Sequence, residues 1–63
     1  MKFTVETGQK GQPDTKQEIE RPNRHAVEKE FVGANTDLEW NSLNFSDGII
    51  GVGKDKVIVI KKL

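Results

Sequence analysis

The stretch "DGIIGVGKDKVIVIKK", residues 47–62, decides the fold. It places Gly48 and then Gly53-Lys54 at the spacing G-x-x-x-x-G-K, the phosphate-cradling pattern of nucleotide-hydrolysing enzymes without its final Ser or Thr. A phosphate loop joins a strand to a helix, so that backbone N–H groups and the helix N-terminus meet the phosphates. Here the segment after Lys54 is β-branched and strand-like, and Asp55 stands where a magnesium-holding hydroxyl belongs. The stretch therefore reads as strands linked by tight turns, and the nucleotide reading shrinks to a shallow anion site at Gly51, Gly53 and Lys54.

Turn chemistry then sets a register. Asp47-Gly48 is a dipeptide preferred for type I′ hairpins, and a turn there sets Phe45 beside Ile50 and Leu43 beside Val52. A second two-residue turn at Lys54-Asp55 sets Val52 beside Val57 and Ile50 beside Val59. Leu43, Phe45, Ile50, Val52, Val57 and Val59 then share one face, the expected core face. On the other face Ile58 lies against Gly51 and Ile60 against Ile49, and a glycine there leaves room for a neighbour to pack closely.

Outward from this meander, "MKFTVET" alternates Phe3 and Val5 with polar residues and reads as an added N-terminal strand. No apolar side chain occurs from Gly8 to Glu18, so a mobile loop is expected over about residues 8–16. Residues 24–32 read either as a short helix, with Val27 and Phe31 four apart, Asn23 as cap and Gly33 as stop, or as a strand with His25, Val27 and Phe31 on one face. Leu38 and Trp40 have the opposite strand parity from Leu43 and Phe45, so a bulge near Asn41-Ser42 is required if all four face the core. The fold class is a mainly β single domain spanning residues 1–63, a small antiparallel sheet or half-barrel of four to five strands.

A 63-residue chain buries only about 60% of the surface its unfolded form exposes, which leaves stability marginal without disulfides, a metal or oligomerisation. With no Cys and one His, disulfides and His/Cys zinc sites are excluded and no cofactor is expected. Oligomerisation remains. "KVIVIKK" is apolar on both faces, which calls for cover on both, so a homodimer is expected with Ile49, Ile58 and Ile60 at its interface. If the chain is a monomer, the helix over residues 24–32 must cover that face instead. Charge is uneven: residues 28–47 carry five acids against Lys29, and residues 54–63 four lysines against Asp55, a pattern suited to solvated faces or to complementary self-association.

Candidate site residues are few. Arg21, Arg24 and His25 cluster in "RPNRHA" and could hold a phosphate or carboxylate; Trp40 is either a core residue or a binding hot spot; Lys54 and Lys56 belong to the lysine-rich end. Single-His content and isolated acid pairs support no catalytic constellation, so an enzyme is the least favoured class. The expected function is non-catalytic: a binding or inhibitory accessory protein that occupies a partner protein's surface, of a size usual in phages and mobile elements. The alternatives are a small nucleic-acid binder using the lysine-rich terminal strand and a small-ligand or anion-binding oligomer. No apolar run reaches the ~20 residues that span a bilayer, so the expected location is the cytoplasm, that of the host if phage-encoded, with no membrane partner.

Overall fold

The computed structural model describes residues 1–9, 12–43 and 47–63, the backbone alone at 12–14. Five strands form an open antiparallel sheet: β1 Lys2–Gln9, β2 Gln12–Glu20, β3 Glu39–Ser42, β4 Gly48–Val52 and β5 Val57–Lys62. One helix, α1 Arg24–Ala34, lies between β2 and β3 in sequence. The strand order is β2-β1-β5-β4-β3, so the most apolar strand is central and the C-terminal third is a meander.

The Lys54-Asp55 turn holds as expected. Gly53 N–H donates to the Lys56 carbonyl at 2.7 Å, and β4 pairs β5 with Val52 facing Val57, Ile50 facing Val59 and Gly51 facing Ile58. The Asp47-Gly48 turn does not form. Gly48 belongs to β4, and Leu43 N–H donates to its carbonyl at 2.9 Å. Ile50 therefore faces Asn41 and Val52 faces Glu39, not Phe45 and Leu43. Phe45 itself lies outside the described residues. The physical reason is Trp40: the observed register sets it against Gly51, where its ring has a flat backbone to cover. Because the register is displaced by an even number of residues, Leu43 keeps its face and packs over Gly48. Leu38 and Trp40 stay on the other, and β3 needs no bulge.

Which face is core is the larger correction. Phe3, Val5, Val27, Leu38, Ile49, Ile58 and Ile60 form the buried cluster, with Ile19, Phe31, Val32 and Trp40 packed against it. Ile49, Ile58 and Ile60 are therefore interior residues, at 6%, 4% and 1% exposure, and α1 supplies the cover whose absence had placed them at a subunit interface. The opposite face carries Leu43, Ile50, Val52 and Val59, all half-buried, and Val57. No element covers it among the described residues.

The expected loop over residues 8–16 is largely hairpin. β1 and β2 pair from Lys2↔Glu20 to Gln9↔Gln12, with a shift between Thr7 and Gly8. Burial was the wrong test for this segment, because an antiparallel ladder satisfies backbone groups without needing apolar side chains. α1 resolves the ambiguity of residues 24–32 as helix. Asn23 caps it, its Oδ1 accepting from Ala26 N–H at 2.9 Å, and Val27 anchors it in the core. The helix runs through Gly33 to stop at Asn35, whose backbone N–H reaches the Phe31 and Val32 carbonyls.

Candidate functional site

Two arginines fix α1 to its surroundings. Arg21, just after β2, makes a two-pronged pair with Glu30: Nε to Oε1 at 2.6 Å and Nη2 to Oε2 at 3.0 Å. Arg24 donates to Glu28 at 3.0 Å, to Asp47 at 2.7 Å and to the Ser42 hydroxyl at 3.2 Å. These hydrogen bonds, to Glu30 for Arg21 and to Asp47 then Glu28 for Arg24, raise both guanidinium groups above their ordinary value. The hydrogen bond from Arg21 lowers the Glu30 carboxyl below the usual range. A depressed carboxylate contributes stability above its unfolded-state pKa and loses it as pH falls through the folded value. Glu30→Gln is therefore expected to lower the melting temperature slightly at and above neutral pH and to converge with the unchanged protein in acid, as read by melting curves across pH.

With their charges matched, Arg21 and Arg24 do not converge with His25 on an anion. Both are engaged by carboxylates of the chain itself. Lys56 is engaged too, donating to Asn35 Oδ1 at 3.0 Å, whereas Lys54 is exposed at the β4–β5 turn. Lys61 and Lys62 sit at the far end of β5, roughly 17 Å away at ~3.3 Å per residue, on alternate faces of the strand. At the Gly-Lys pattern, a strand follows the turn, Trp40 covers Gly51, and Gly53 N–H is used by Lys56. The backbone donor at Gly53 is therefore already in use within the hairpin.

The concave feature is a groove of about 600 Å³ between α1 and β3. Val32, Trp40 and Ile49 give it apolar surface; His25, Glu28 and Lys29 rim it from the helix, and Asn41 and Ser42 from the strand. Trp40 is held by Nε1–H donation to the Asn35 carbonyl at 3.0 Å and by its stack on Gly51. Asn35 joins three elements: its side chain also donates to the Phe31 carbonyl at 2.9 Å and accepts from Lys56. His25 and Trp40 were legible as candidates; Asn35, Glu28, Lys29 and Val32 were not. Asn near a helix end is a cap signal that identifies Asn35 in retrospect.

Gly33 lines the same groove. Glycine inside a helix costs about 0.5–1 kcal/mol relative to Ala, yet a Cβ at Gly33 would meet nothing within 4 Å. Packing does not require glycine there.

Among the described residues no group of three or more His, Cys, Asp or Glu is placed to hold a metal, and no helix is long and apolar enough to cross a membrane. Comparison with known protein families, characterised proteins and solved structures finds no match to this chain.

Proposed function

We infer that this protein is a non-catalytic binding protein that acts by occupying a partner protein's surface, with the α1–β3 groove as its contact site. The observation that carries this reading is the conjunction of an apolar-lined concavity with a sheet edge: among the described residues β3 is the last strand of the sheet and pairs only with β4. Concave apolar surface with a few polar groups at its rim is the usual form of a binding site. A second copy of this chain as partner of the uncovered face at Ile50, Val52 and Val59 is the accompanying reading. It is favoured by those three apolar side chains, which no described element shields.

The test uses peptides selected from a random displayed library on the folded protein. Amide shifts on binding are expected at residues 25–33 and 40–42, and Gly33→Gln is expected to weaken binding about tenfold or more while raising thermal stability by roughly 0.5–1 kcal/mol. Shifts confined to the other sheet face, or full binding by the Gly33 variant, refute the groove as the site.

A further inference from the structure

Edge strands expose a row of backbone groups that another chain can pair with, and the ladder here fixes which groups those are. Leu43 N–H donates to the Gly48 carbonyl, and Leu43 continues an alternating series in which Asn41 faces Ile50 and Glu39 faces Val52. In an antiparallel pair every second residue turns its N–H and C=O toward the partner. Glu39, Asn41 and Leu43 therefore bond to β4, and Trp40 and Ser42 direct their N–H and C=O out of the sheet. Trp40 and Ser42 also line the groove. Unpaired backbone and apolar cleft thus occupy the same side of the molecule.

The charge of the rim narrows the occupant. Glu28 is taken by Arg24 at 3.0 Å, which leaves Lys29 the one charged rim group without an ion pair among the described residues. His25, one turn earlier on the same side of α1, adds ring N–H donor capacity. Lys29 and Val32 are three residues apart, about 4.5 Å along a helix axis. Two residues of a strand advance about 6.7 Å. An extended chain running beside α1 can therefore set one side chain on Val32, Trp40 and Ile49 and the side chain two positions away against Lys29.

We propose that the groove takes an extended segment of the partner protein, which adds to β3 as a sixth, antiparallel strand and carries an apolar residue and an acidic residue two positions apart. The apolar residue fills the cleft, the carboxylate meets Lys29, and the segment's backbone takes up the free groups of Trp40 and Ser42. This deepens the groove reading and rests on it.

The experiment uses pools of seven-residue peptides randomised outside a central Leu-Thr-Glu, Leu-Thr-Gln or Leu-Thr-Lys. In an antiparallel pair the residues facing Trp40 and Ser42 share their face, so the Leu and Glu N–H groups point at β3 and the Thr N–H points away. The Glu pool is expected to bind about fivefold tighter than the Gln pool, with the Glu and Lys pools exchanging rank on Lys29→Glu. N-methylation of Leu or Glu is expected to weaken binding about tenfold, and N-methylation of Thr to leave it nearly unchanged. Binding in the groove that tolerates methylation at all three positions overturns strand addition, and binding that ignores the charge reversal overturns the carboxylate–Lys29 contact, the groove reading surviving either. If no pool shifts the amides of residues 25–33 and 40–42, the groove reading falls and this inference with it.

Discussion

Ile60→Ala is expected to remove about 2–5 kcal/mol of stability, whereas Val59→Ala, one residue away on the same strand, should cost under about 1.5 kcal/mol. Ile60 is 1% exposed beneath α1 and belongs to the core cluster with Phe3 and Val5. Val59 is half-buried on the uncovered face. At roughly 0.05–0.15 kcal/mol per residue a 63-residue chain holds only ~3–9 kcal/mol in total, so the first change unfolds much of the population and the second does not. Chemical denaturation of the two variants reads this directly, and equal losses would mean that the faces are assigned wrongly. Lysine sharpens the contrast. Ile58→Lys puts an ammonium in the core and should unfold the chain. Val59→Lys should keep it folded and, if copies pair through the uncovered face, yield a smaller species in light scattering. A wild-type protein that is monomeric from micromolar to millimolar concentration rejects that pairing.

The second large effect is at Gly51. A Cβ there would stand 2.8 Å from Trp40 Cε2 and 2.9 Å from Cδ2 and Cε3, closer than real Cβ contacts come. The indole cannot slide freely, since its Nε1–H is held by the Asn35 carbonyl at 3.0 Å. Gly51→Ala must therefore either bend β4 or expel the ring, at about 1–3 kcal/mol. Trp40 is the only Trp, so its fluorescence reports the outcome: a red-shifted emission is expected in the folded variant. Trp40→Leu should make the glycine replaceable, and the double mutant should recover stability relative to the sum of the singles. Additive losses would show that the ring and the glycine are independent.

The β4–β5 register was readable because the Lys54-Asp55 turn and the paired Val and Ile residues agree locally. β3 was misplaced by a strong hairpin signal at Asp47-Gly48, whose glycine is required for another reason: a Cβ at Gly48 would collide with the Ile60 carbonyl oxygen and crowd Leu43. The choice of core face was not local at all. Ile49, Ile58 and Ile60 are as apolar as Ile50, Val52, Val57 and Val59, and the tie is broken by Phe3 and Val5, which join the first set through pairing with β5. β2 escaped notice because its stability comes from backbone pairing, to which composition is blind. Of the groove, sequence exposed Trp40 and His25 as unusual residues. It did not expose the concavity, which exists only because α1 runs beside β3.

The pairing of β1 with β5 carries a consequence for how the chain acquires its structure. Thr4 faces Lys61 and Val5 faces Ile60, so the two strands at the middle of the sheet are among the last to be connected along the sequence. The β1–β2 hairpin and α1 are local and can form early, but Phe3 and Val5 have no second sheet partner until β5 has been synthesised. Contacts of such long sequence separation slow folding relative to local ones. Until β5 joins, the chain carries an unpaired β1 edge, and that interval is when it is most exposed to mispairing with another copy.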